Sequence, residues 1–204
     1  MSTSPSFVPL WIRGQQRPAS DGATFEVRNP QSHKVVSVSA SATSDDCKAA
    51  VQAAGEAFKT WEHTPMAVKR KIFLKAAELL ETEKYAQEVL SAVMEETASE
   101  KSWAIATGGA SARAIREITY AVPELKGESW PSAYPGATVH MQRRAMGVIL
   151  AIAPWNAPVT LSLRAVCIPL ICGNTAVFKS SEYSPRSQSI VAEVFHEASD
   201  YLRS

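Results

Sequence analysis

Apolar residues recur along the chain at two different periods. Near the start they come in short runs: Phe7 to Ile12, Thr24 to Arg28 and Val35 to Ala40. Arg13-Gly14-Gln15, Ser20-Asp21-Gly22 and Asn29-Pro30 separate these runs. β-prone runs bounded by such residues predict short strands joined by turns. From Ser44 the period lengthens. Ser44 reads as an N-cap, and Asp45 and Asp46 suit the positive end of a helix. Cys47, Ala50, Val51, Ala54, Ala57, Phe58 and Trp61 then fall at helical spacing. Thr64-Pro65 reads as the next start, followed by the stripe Ile72, Phe73, Ala76, Leu79 and Leu80. A third helix is expected from about Thr82 to Met94 and a fourth within Ala110 to Ala121. Thr107-Gly108-Gly109-Ala110 reads as a helix interruption. It follows a helix rather than a strand and lacks the spacing of a phosphate-binding loop. Trp130 to Arg144, marked by Pro131, Pro135 and Gly136, reads as a hairpin or extended arm.

The densest pattern runs from Gly147 to Glu182. Val148 to Ala153 is a continuous apolar run, which predicts a strand buried on both faces. Pro154-Trp155-Asn156-Ala157-Pro158 stops it, because proline removes a ladder donor. Val159 to about Cys172 is apolar on nearly all sides and predicts a buried helix, with Pro169 disturbing its end. Gly173-Asn174 is a good stop, and Thr175 to Phe178 predicts a second strand ending at Lys179. Strand, helix, strand with short turns is a parallel, right-handed βαβ unit. After Glu182, Ser184-Pro185 opens a last helix with the stripe Ile190, Val191, Val194, Phe195 and Ala198.

This layout sends Asn156 and Lys179 off the same carboxyl edge of one sheet, where ligands collect in open α/β folds. Glu182 follows Lys179 by three residues. An ammonium and a carboxylate so placed can both reach the hydroxyls of a ribose. The plainer reading is that Lys179 is a solvated strand end and Asn156 caps backbone in a proline-rich turn.

Composition narrows the partners. Among 204 residues the net charge is +1, which gives no electrostatic case for nucleic acid or an anionic membrane. Arg164 interrupts the longest apolar stretch, so no membrane span is expected. The first residues lack the basic and apolar regions of a secretory leader. Cys47, Cys167 and Cys172 suit buried, reduced thiols rather than a disulfide framework. Cys167 and Cys172 lack partner histidines, so no metal is expected. A cytoplasmic protein is the expectation.

The stretch 147–182 resembles the coenzyme-binding core of the NAD(P)-dependent aldehyde dehydrogenase superfamily. Pro154-Trp155-Asn156 is similar to its P-W-N segment, Gly173-Asn174 to its glycine-asparagine turn, and Lys179-Ser180-Ser181-Glu182 to its K-P-S-E segment. Ser180 departs from the proline often found there, which should loosen the turn. The variants A-P-W-N-A-P-V and I-C-G-N-T resemble the branch acting on aromatic aldehydes such as vanillin or salicylaldehyde.

The resemblance implies an α/β fold, an incomplete Rossmann-like coenzyme-binding domain with small N-terminal strands, helices and a β-arm. Residues 1–122 would be the strands and helices, 123–146 an arm that pairs subunits into a homo-oligomer, and 147–204 the start of the βαβ core. It implies NAD or NADP as cofactor and an aldehyde as substrate. Asn156 would support the oxyanion. Lys179 and Glu182 would hold the adenosine ribose, and Ala153, Pro154, Trp155 and Ser181 would line the cofactor site. None of the three cysteines lies in a context like that of the family's nucleophile. Its general base and catalytic domain match nothing here, so a truncated chain, inactive alone, is expected. The alternative is a non-catalytic remnant that binds nucleotide or pairs with a relative.

Overall fold

A computed structural model describes residues 5–201. The reading of the chain's first residues rests partly on 1–4, and that of its last on 202–204; both stretches lie outside the described residues.

The first apolar run divides at Pro9, which lacks the N–H a ladder needs. β1 (Ser6–Val8) and β2 (Leu10–Ile12) lie on either side of it. β2 turns back through Arg13-Gly14, both with positive φ, and pairs antiparallel with β3 (Gln15–Arg17). Such a two-residue turn matches the natural twist of a hairpin. Gln15 is therefore a strand residue and not part of a turn. β4 (Thr24–Arg28) and β5 (Val35–Ala40) pair antiparallel, and β1 adds to β5 in parallel, giving the order β1-β5-β4.

α1 (Ser44–Trp61) is capped by Thr43, one residue before the expected Ser44. The reason is a reciprocal capping box. Asp46 N–H donates to Thr43 Oγ1 at 3.1 Å, and Thr43 N–H donates to Asp46 Oδ2 at 3.0 Å. Ser20 N–H and Arg17 Nη2 also donate to the Asp46 carboxylate, at 3.0 and 2.9 Å. Asp46, 1% exposed, thus ties the helix to the N-terminal strands. The Ser20 and Thr43 backbone N–H groups hold its carboxyl well below the usual range.

α2 (Met66–Leu80) starts after Pro65, with no side-chain cap. Thr64 does not cap it, because its hydroxyl donates back to Thr60 O at 3.2 Å. α3 (Glu83–Thr97) runs past the expected Met94 and stops at Ala98, whose φ of 52° is left-handed. α4 (Lys101–Ala121) corrects a larger expectation: it passes unbroken through Gly108-Gly109. Ala104, Thr107, Ser111, Ala112 and Ile115 bury one face of it against α2, α3 and the helix at Pro158–Ile171. That packing outweighs the roughly 1 kcal/mol that each helical glycine costs relative to alanine. A 3-10 turn at Val122–Glu124 leads to the hairpin of β6 (Glu128–Pro131) and β7 (Thr138–Met141), exposed throughout.

β8 (Val148–Ile152) and β9 (Thr175–Lys179) are parallel, with Val148 opposite Thr175 and Ile152 opposite Lys179. α5 (Pro158–Ile171) connects them, as the pattern predicts. Asn174 does more than stop the helix. Its Oδ1 accepts from Met146 and Gly147 N–H at 2.6 and 3.1 Å, fixing the entry to β8. α6 (Pro185–Tyr201) closes the bundle against α2, α3 and α5. Phe73, Tyr85, Ile115 and Leu163 are fully buried at its centre.

The expectation that Val148 to Ala153 is buried on both faces is wrong. The strand ends at Ile152, and Leu150 and Ile152 are each 64% exposed. α5 covers both strands on one side, whereas α1 on the other lies mainly over β9, where Thr175 Oγ1 donates to Ala54 O at 2.8 Å. Cys47 is also exposed rather than buried, because it sits outside the inward face of α1.

Candidate functional site

The carboxyl ends of β8 and β9 open into a cleft of about 300 Å³. Ala153, Pro154, Trp155, Lys179, Ser181 and Glu182 line it, so six of the residues chosen from the sequence meet at one place. The register explains this. Ile152 lies opposite Lys179, so the turns after both strands leave the sheet at the same level.

Lys179 Nζ stands 3.3 Å from Glu182 Oε2, both exposed. The Glu182 carboxyl is held below the usual range by its own backbone N–H first and by the Lys179 ammonium second. An exposed pair of this kind adds little to stability. It does present three N–H donors beside two acceptor oxygens, the complement of vicinal hydroxyls. Ser181 is buried and serves the turn: its Oγ accepts from Tyr183 N–H at 3.3 Å, and its own N–H is held by Gln188 Oε1 at 2.6 Å.

Two lining residues are missing from the sequence reading. Ile152 falls within the strand expected to be core, since a continuous apolar run gives no sign of which face lacks cover. Tyr183 sits edge-on to Trp155, with ring centroids 6.4 Å apart at 75°. Together they form an aromatic wall, and a tyrosine four residues past a strand-end lysine was the signal available.

Asn156 lies on the same loop, exposed, one residue beyond the cleft lining. Its side chain makes no hydrogen bond among the described residues, so its amide N–H₂ is available as a donor. No cysteine lines this cleft. Cys167 is buried in α5 and its thiol is pushed up to about 12. Cys172 caps the far end of α5, and burial raises its thiol more than the Lys69 charge lowers it. A helix of this length separates Cys172 from the cleft end by roughly 20 Å. Such thiols are poor nucleophiles. Among the described residues no cluster of side chains could hold a metal, and no helix is long and apolar enough to cross a membrane.

The sequence profile of the aldehyde dehydrogenase family matches residues 17–200. The chain belongs to that family. Vanillin dehydrogenase of Pseudomonas fluorescens is 42% identical over 94% of this chain and 39% of its own length. The crystal structure of salicylaldehyde dehydrogenase from Pseudomonas putida G7, complexed with salicylaldehyde, superimposes with a TM-score of 0.89 at 36% identity, over 95% of this chain and 40% of that one. A NAD-dependent benzaldehyde dehydrogenase from Corynebacterium glutamicum gives a TM-score of 0.86 at 32% identity, covering 92% of this chain and 41% of its own. The α/β fold of this aldehyde dehydrogenase chain is thus the family's over the part compared. The chain spans about 40% of the length of the relatives it matches.

Proposed function

We propose that this chain forms the cofactor-binding side of an enzyme that oxidises an aromatic aldehyde to its carboxylic acid with NAD or NADP. The observation that carries the reading is the Lys179–Glu182 pair at the lip of the 153–155 and 179–183 turns. Kinship with enzymes named for vanillin, salicylaldehyde and benzaldehyde supports the substrate class, and the NAD-dependent relative supports the cofactor.

The residues fit such a cofactor. Lys179 would donate to ribose hydroxyls and Glu182 would accept from them. Ala153, Pro154 and Ser181 shape the floor of the cleft, and Trp155 offers a flat apolar wall. When bound, the nicotinamide supplies the acceptor for the hydride leaving the aldehyde carbon. Asn156, free to donate, is the group that would stabilise the oxyanion formed when a thiolate adds to the carbonyl. A preorganised donor of this type contributes about 3–4 kcal/mol. The three segments 1–122, 123–146 and 147–204 follow the same reading, with the exposed β6–β7 hairpin as the arm that meets a second copy. Three free cysteines suit a reducing, cytoplasmic setting.

A second reading rests on the thiols: with no reactive cysteine beside Asn156, this chain would bind nucleotide or pair with a relative without catalysing. The two meet in one assay. The purified 204-residue chain, given vanillin, salicylaldehyde or benzaldehyde with NAD or NADP, is expected to produce no reduced cofactor. Reduced cofactor formed at an enzyme-like rate, and abolished by alkylating the cysteines, would show that one of the three thiols reaches the substrate after all.

A further inference from the structure

The amide of Gln188 joins the two turns that wall the cleft. Gln188 lies in the first turn of α6, is 1% exposed, and falls three residues before Val191 on the helix's buried face. Its Oε1 accepts from Ser181 N–H at 2.6 Å. Its Nε2 donates to Pro154 O at 3.1 Å and Ala153 O at 3.4 Å. The amide can take only this orientation, because a backbone N–H must find an acceptor and a carbonyl must find a donor. One side chain therefore spans the turn after β8 and the turn after β9. The helix that carries it is itself anchored. Glu96, at the end of α3, accepts from Arg186 and Ser187 N–H, both at 2.8 Å.

We infer that Gln188 is a positioning residue that sets the distance between the Pro154-Trp155 and Ser181-Glu182 walls. It thereby aligns Lys179 and Glu182 with the cofactor's ribose. The second part rests on the cofactor reading above; the first stands on the hydrogen bonds alone. Its loss would leave the Ser181 N–H and the Pro154 carbonyl without these bonds, at a place where buried polar groups are costly to strand. The turns would then separate or refill with water, while the helical core, which Gln188 does not hold together, would persist.

Amide hydrogen exchange and NAD titration on the same variants separate the two parts. In Gln188→Met, which keeps the volume and removes the bonds, exchange of the Ser181 N–H is expected to speed up about tenfold or more, with α3 and α4 amides unchanged. NAD affinity should fall about tenfold. Gln188→Glu serves if the methionine variant does not fold. Its protonated carboxyl can accept from Ser181 and donate to Pro154. Once ionised it still accepts from Ser181 but loses the donor and repels the Pro154 and Ala153 carbonyls. Exchange in the Trp155–Ala157 turn, relative to wild type at the same pH, should therefore be near normal at low pH and speed up as the carboxyl ionises, while Ser181 stays protected. Unchanged Ser181 exchange in the methionine variant, or faster exchange spread evenly over the whole chain, would overturn the positioning role. So would a glutamate variant in which exchange of the Trp155–Ala157 turn, relative to wild type at each pH, is unchanged as the carboxyl ionises. If wild type binds NAD no better than Lys179→Ala does, the cofactor reading fails, and the exchange data still decide the role of Gln188.

Discussion

Phe73→Ala is expected to cost about 3–5 kcal/mol, the usual range for deleting a buried phenylalanine ring. Phe73 is fully buried on α2 and meets Phe195 of α6 edge-on, with centroids 5.1 Å apart at 71°. The ring therefore joins the second and last helices of the bundle, and α6 carries the side chain that braces the cleft. Domains of this size have total stabilities of about 5–15 kcal/mol. The variant should thus lose about a fifth or more of its margin. Denaturant melts of wild type and variant measure the difference. A loss under 1 kcal/mol would mean that the α2–α6 contact is not part of a packed core.

Glu96→Ala is expected to cost about 3 kcal/mol. Glu96 is 2% exposed and accepts from two N–H groups in the first turn of α6 and from Ser187 Oγ at 2.5 Å. These helix-end donors have no intrahelical partner. Each bond to a charged acceptor contributes about 1.5–3 kcal/mol, and stranding the donors adds a desolvation cost. Burial raises the carboxyl above its ordinary value of 4.5, against the opposing effect of the Ser187 and Arg186 donors. In the window just above pH 4.5, the folded state therefore keeps a proton that the unfolded state has released. Stability from this group falls as pH rises through that window and is flat on either side. Glu96→Gln, which cannot titrate, should lack that slope. Equal pH profiles for the glutamine variant and wild type would show that the carboxyl titrates normally.

The sequence carried the βαβ unit because its signals are local. An apolar run, two prolines, a Gly-Asn stop and a second run define β8, α5 and β9 without reference to anything distant. The placement of Asn156, Lys179 and Glu182 just beyond these strands was legible for the same reason. What escaped depends on partners far along the chain. The exposure of Leu150 and Ile152 follows from where α1 lies, which no property of the strand reveals. α4 passes through Gly108-Gly109 because neighbouring helices hold it, although local propensity favours a break. Glu96 and Gln188 are polar residues at buried positions, and their partners are up to 91 residues away. A polar side chain on the inward stripe of a helix was the visible sign, but it names no partner. The cap of α1 moved to Thr43 because a reciprocal side-chain box chose it, and that of α2 moved to Pro65, which has no side-chain cap, because the Thr64 hydroxyl bonds Thr60 O instead.

The adenosine ribose is the ligand on which the Lys179–Glu182 pair is read, so calorimetric titration of NAD into the folded chain and into Lys179→Ala is the most direct measurement. Binding that is weak in the wild type and weakened about tenfold further by the substitution is expected, as for loss of one charge-assisted hydrogen bond. Binding that is tight and indifferent to the substitution, or no binding to a chain shown to be folded, would contradict the assignment of this cleft to the cofactor.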